Sequence, residues 1–240
     1  MHNTKTRLAL LVGCMALSAN LWADAQPVQA TLAGHALLPV NFAVSTPKDA
    51  PSDLQQSGKY TSGKRVTELG SVAGKSADRL TGLGLPIDGQ PLQGHSGIKH
   101  MPDGTYWVLC DYGFGSKANS PDAMLYLNHY KIDFKDGTVA PLKTVFLHDP
   151  DKKVPFHIIN ESTEKRYLTG SDFDPESFQF ADDALWIGEE FGPYLIKADL
   201  NGKVLAVFDT QVDGKVVKSP DNPTLTLPGV PDGKQNFQVA

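Results

Sequence analysis

The strongest constraint on the fold is an internal repeat. DGTYWVLCDYGFG, from Asp103 to Gly115, superposes on DDALWIGEEFGPY, from Asp182 to Tyr194, at a shift of 79 residues. Trp107 falls on Trp186, Val108 on Ile187, Asp111 on Glu190 and Gly113 on Gly192. Each segment follows a short strand-like run, SGIKHM or ESFQF. Each is followed by another strand, a turn (KDG or LNG) and a fourth strand, LKTVFLH or KVLAVFD. Four antiparallel strands per unit, repeated along the chain, are the pattern of a propeller blade. The insertion DPDKKVPFHIINESTEKRYLTG, Asp149 to Gly170, accounts for a spacing longer than one compact blade.

The rest of the chain agrees with an all-β class. Short apolar or alternating runs recur between turn signals, and no stretch sustains a 3.6-residue apolar period. Residues 94–214 are expected to hold two blades, and residues 26–93 an irregular segment with a partial blade. Residues 215–240 form a Pro-rich connecting tail. Two units fall short of the usual ring of about four blades, so the propeller is expected to be incomplete here and to continue beyond Ala240.

Lys5 and Arg7 precede the apolar run LALLVGCMALSANLWA, and ADA supplies a small-x-small cleavage site. Residues 1–25 therefore read as a secretory signal peptide, too short for a stable membrane span, and the protein as exported to the periplasm or beyond. LVGC offers a lipoprotein box at Cys14 as the alternative. Removal of the peptide leaves Cys110 alone, which excludes an intramolecular disulfide; its apolar strand suggests a buried thiol. The formal net charge is −5 and no basic run occurs, which argues against a nucleic-acid partner.

Asp172, Asp174 and Glu176 stand at alternate positions in TGSDFDPES. In an extended backbone they share one face and repel unless a cation or water relieves them. Hard oxygen donors at this spacing suit Ca²⁺. Ser177 stands where a helix-flanked calcium loop needs glycine, so an EF-hand is rejected in favour of a site at the blade rim. The plain alternative is a turn whose aspartates cap backbone amides. Glu189 and Glu190 end a strand and face opposite ways; Asp111 holds the place of Glu190 in the first unit. The metal-ligand candidates are thus Asp111, Asp172, Asp174, Glu176, Glu189 and Glu190. Of these, Asp174, Glu176 and Glu190 are catalytic candidates together with His95, a candidate ligand or general acid. GHSGI fails the serine-hydrolase elbow at Ile98. Arg166 and Lys117 are candidates for holding a substrate oxyanion. Trp107 and Trp186 are expected in the core.

GHSGI, DGTYWVLCDYGFGSKANSPDA, HDPDKKVPF, RYLTGSDFDPESF and LWIGEEFGPYLI together resemble the bacterial phytase-like domain labelled "esterase-like activity of phytase". The resemblance covers Gly94 to Asp209. It implies an exported β-propeller hydrolase with acidic residues engaged in phosphoesterase chemistry on a small phosphorylated substrate. The D-D-P-A signature of calcium-dependent propeller phytases is absent, so phytate itself is not implied. Two rivals share the acidic rim: a calcium-dependent lactonase or esterase, and a non-catalytic binding propeller stabilised by calcium.

Overall fold

The computed structural model describes residues 28–225 other than 93 and 112, which leaves the expected signal peptide, Cys14 and the end of the tail outside the described residues. Of a first unit ending at Ala33, residues 28–33 are described, without strand or helix. The second unit, from Gly34, carries the fold. It is all-β: among the described residues the only helical turns are 3-10, at Ser52–Leu54 and Lys117–Asn119. No described helix is long and apolar enough to cross a membrane.

Six short strands come first: β1 (Ala43–Val44), β2 (Gln56–Ser57), β3 (Val72–Ser76), β4 (Arg79–Leu85), β5 (Ile87–Asp88) and β6 (Gln90–Pro91). They pair as β1 with β6, β2 with β5, and β3 with β4. Buried Gln90 ties this region to the rest, donating to the Leu54 and Asp122 carbonyls and accepting from Met124 N–H at 2.8 Å.

The repeat becomes two four-stranded antiparallel sheets of the propeller-blade type. The first holds β7 (His95–His100), β8 (Tyr106–Cys110), β9 (Tyr126–Asp133) and β10 (Thr138–Phe146), in spatial order 10-9-8-7. The second holds β11 (Pro175–Ala181), β12 (Ala184–Glu189), β13 (Tyr194–Ala198) and β14 (Val204–Asp209), in order 11-12-13-14. All eight strands fall on the runs expected from sequence. Their turns follow local chemistry. Asp182 and Asp183 both take positive φ, 51° and 56°, giving the left-handed pair that closes a two-residue hairpin between Ala181 and Ala184. Asp199 closes the β13–β14 turn by accepting from Asn201 and Lys203 N–H at 2.9 Å each.

The sheets meet face to face. Leu109 and Leu127 of the first, and Phe178, Leu185, Ile187 and Ile196 of the second, join one buried core with Leu168 and Phe173 from the intervening segment. Each fully buried large apolar side chain contributes roughly 1.5–3 kcal/mol. At the joint, half-buried Trp107 meets Phe180 edge-on, ring centroids 5.5 Å apart. Gly97 lies against the Phe178 ring, where an added Cβ would come within 3.0 Å. The opposite face of the first sheet forms a second core, with Cys110, Tyr126 and Phe146 against Ala50 and Leu54. Trp186, expected in the core, is only half-buried and lies outside both clusters.

Candidate functional site

The repeat extends to a detail that strand patterning does not show. In the first sheet His95 pairs with Cys110 and Gly97 with Leu109, which leaves Ser96 as the extra residue of a β-bulge. In the second, Pro175 pairs with Glu189 and Ser177 with Gly188, which leaves Glu176 in the same role. One residue upstream of each strand pair the backbone bond also repeats. Asp111 N–H donates to the Gly94 carbonyl at 2.7 Å, and Glu190 N–H to the Asp174 carbonyl at 3.0 Å. Gly94, Ser96 and Asp111 are therefore the structural counterparts of Asp174, Glu176 and Glu190.

This framework gathers the acids. One carboxylate oxygen each from Asp174, Glu176 and Glu190 lie within 4.8 Å of one another. Asp174 is only 2% exposed, and its Oδ1 has no hydrogen-bond partner. Burial, then the Glu176, Glu190 and Asp111 charges, push its carboxyl up to about 8. Desolvation also raises Glu176, against a hydrogen bond from the Ser96 hydroxyl. Asp111 leans inward over Gly94, whose φ is +57° and whose missing Cβ would lie 1.9 Å from Asp111 Oδ1. Only glycine leaves that space. Asp111 is held there by Gly113 N–H at 2.9 Å and is raised chiefly by burial. Exposed His95 is adjacent; desolvation lowers it while Asp111 opposes the shift.

The three oxygens fit a hard cation. Three atoms no more than 4.8 Å apart always have a point within about 2.8 Å of all of them, close to calcium–oxygen distances. A buried oxygen with no donor facing it is what an ion would satisfy. The site is thus a candidate metal centre open to solvent on the Glu176 and Glu190 side.

Other sequence candidates are placed elsewhere in function. Asp172, expected on the face of Asp174 and Glu176, lies in a turn before β11, so the strict alternation does not hold there. Its Oδ1 accepts from Ile159 N–H, and its Oδ2 from Thr169 N–H, each at 2.8 Å. Burial still pushes its carboxyl up to about 6. Glu189 points the other way from Glu190 and accepts from Phe191, Gly192 and Tyr194 N–H at 2.9, 2.8 and 2.6 Å. Burial nonetheless raises it to about 7. Both are backbone caps, with their lone pairs already committed.

Arg166, expected to bind substrate, is 2% exposed and clamps the inserted segment. Its guanidinium reaches the Asp149 carbonyl at 2.8 Å, Asp149 Oδ2 at 3.2 Å and Glu161 Oε1 at 2.5 Å. No face remains for a ligand. Lys117 stands nearer the acids: its ammonium lies 4.0 Å over the Phe191 ring and donates to the Asp221 carbonyl. Burial lowers it, against the Asp221, Glu189, Asp172 and Asp174 charges. Ser96 was not singled out by the acidic pattern; aligning the two bulges would have found it. Cys110 is buried, its thiol pushed up to about 12 by desolvation, as expected of an inert core residue.

The fold and site together define a class: an all-β protein of propeller-type sheets with an acidic, cation-suited cluster where two sheets meet. A family model described as "Phytase-like: Esterase-like activity of phytase" matches residues 90–237, and the chain belongs to that family. The match spans both sheets and every member of the acidic cluster. No curated protein matches the chain, and neither does any solved structure.

Proposed function

We propose that this is an exported, calcium-dependent phosphoesterase whose ion is held by Asp174, Glu176 and Glu190. The observation that carries the reading is the orphaned Oδ1 of Asp174 inside a tight carboxylate trio. Membership of a phytase-like, esterase-like family supports ester hydrolysis as the chemistry. Export rests on the charged and apolar character of residues 1–25.

Bound calcium would supply Lewis acidity toward an anionic oxygen and lower the pKa of a coordinated water. The protein's own groups then divide the work. Asp174 would hold the ion from a buried, desolvated position where its charge is little screened. Glu176 and Glu190, both exposed, would complete the set of donors on the solvent side, where a substrate could reach them. Asp111 and His95, beside the trio, would take and return a proton. Lys117, close enough to feel the Asp174 charge, would offer a cation for a phosphate oxygen.

The family description equally fits a carboxylic-ester substrate, and the two are separated by turnover. p-Nitrophenyl phosphate hydrolysis that stops with chelator, returns with Ca²⁺ and is lost in Asp174→Asn is the expected result. Hydrolysis of p-nitrophenyl acetate alone would replace the phosphate reading by an esterase. Turnover of either substrate unchanged by chelator would reject the metal mechanism.

A further inference from the structure

Of the acidic trio, Glu176 has the least to hold it in place within its own sheet. Asp174 is fixed by burial, and the 3.0 Å bond from Glu190 N–H to the Asp174 carbonyl sets Glu190 against it. Glu176 is exposed and occupies the extra position of the β11 bulge. Its carboxylate ends a long side chain whose ordering costs conformational entropy.

The neighbouring sheet supplies a donor at that point. β7 and β11 lie side by side, and two side-chain links between them share one offset. Ser96 donates its hydroxyl to Glu176; three residues further along both strands, Lys99 donates to Gln179. Each pair is 80 residues apart in the chain. Between the two links Gly97 receives the Phe178 ring. A constant offset means that the strands run the same way in fixed register. The backbone, rather than a chance meeting of two exposed side chains, thus brings Ser96 to Glu176. The same register sets bulge against bulge, since Ser96 is the extra residue of β7 as Glu176 is of β11. A bulge re-aims the side chain that it carries, and these two meet across the joint.

We propose that Ser96 is a positioning residue of the ion site: its hydroxyl, carried on β7, holds the Glu176 carboxylate turned toward Asp174 and Glu190. The inference rests on the ion site proposed above and adds what that site requires of the first sheet. Ser96 needs no contact with ion or substrate for this role. A residue that orients a ligand from behind sets metal affinity through that ligand, by roughly 10- to 100-fold. The role also gives GHSGI a use that the failed serine-hydrolase pattern does not.

The test is calorimetric titration of the chelator-treated full chain with Ca²⁺, run on the wild type, Ser96→Ala, Ser96→Thr and Gln179→Ala. Glu176→Gln is the reference for loss of the ligand itself. Ser96→Ala is expected to weaken binding on the order of 10-fold, and Ser96→Thr, which keeps the hydroxyl, to restore it. Gln179→Ala removes the Lys99 link between the same two strands and should bind as the wild type does. Luminescence of Tb³⁺ in place of Ca²⁺ gives a readout that a merely structural role would not move. A freed Glu176 admits water to the metal, so the Ser96→Ala lifetime should shorten in water and stay unchanged in heavy water. Wild-type affinity and lifetimes in Ser96→Ala, with weak binding in Glu176→Gln, would overturn this inference and leave the ion site standing. A fall in Gln179→Ala as large as in Ser96→Ala would also overturn it, by assigning the effect to the joint. No binding to the wild type would overturn the site itself, and the inference with it.

Discussion

Glu190 N–H donates to the carbonyl of Asp174 at 3.0 Å while the two side chains bring carboxylate oxygens within 4.8 Å of each other. The backbone bond fixes the spacing, so the repulsion between the acids cannot relax by separation of the strands. One acid is buried and the other faces water, an arrangement that favours a bound cation over two free charges.

Asp174→Asn should therefore stabilise the cation-free protein. The amide needs no proton to stay neutral in this buried position, so the cost of protonating the carboxylate on folding disappears, a gain of about 1–3 kcal/mol. The same variant should lose the stabilisation that Ca²⁺ gives the wild type. Thermal melts with chelator and with Ca²⁺ check both signs; an apo variant less stable than wild type would contradict the assignment.

The pH dependence follows from the same group. Asp174 is raised from an ordinary value near 3.8 to about 8, so the folded state binds its proton more tightly than the unfolded chain. Stability from this group is then greatest below about 4 and declines as pH rises toward about 8. Saturating Ca²⁺ should flatten that decline, since the ion takes the place of the proton. Denaturant melts between pH 5 and about 8, with and without Ca²⁺, measure the difference.

Gly94→Ala should damage the site through Asp111. The φ of +57° already disfavours a side chain, and the new methyl would occupy the position of the Asp111 carboxylate. A loss of about 1–3 kcal/mol is expected, with Asp111 displaced from the acidic cluster. Chemical denaturation gives the first quantity, and a crystal structure of the variant the second. An unchanged midpoint would show that Asp111 has room to move.

Glu189→Gln and Arg166→Ala should separate structure from site. Glu189 accepts three backbone N–H bonds, and a glutamine can turn only one oxygen toward them. Roughly 1–3 kcal/mol should be lost. Removing Arg166 strands Asp149, which is 0% exposed, and should cost roughly 3–5 kcal/mol. For both variants the folded fraction should keep the wild-type affinity for Ca²⁺ in calorimetric titration. A weakened affinity in Glu189→Gln would return that residue to the ion site.

Much of the fold was legible because its signals are local. Alternating apolar runs mark β7 to β14, and Asp-Gly, Asn-Gly or Asp-Asp pairs mark their hairpin turns. The repeat also placed Asp111 and Glu190 at one rim, since equivalent positions of packed sheets converge. The first 60 or so described residues were less readable: β1 with β6 and β2 with β5 pair only two residues each across long separations. Capping roles escaped as well. Asp172 and Glu189 look like ligands in sequence, and only the backbone path shows which amides they accept from. Arg166 is consumed by Asp149, 17 residues earlier, a pairing that no local pattern announces.

The central claim is that Asp174, Glu176 and Glu190 share one divalent ion. Calorimetric titration of chelator-treated protein with Ca²⁺ tests it directly, run on the wild type, Asp174→Asn and Glu190→Gln. One ion per chain is expected for the wild type, with affinity falling on the order of 10- to 100-fold in each variant. Binding of equal strength in all three proteins, or no binding to the wild type, would contradict it.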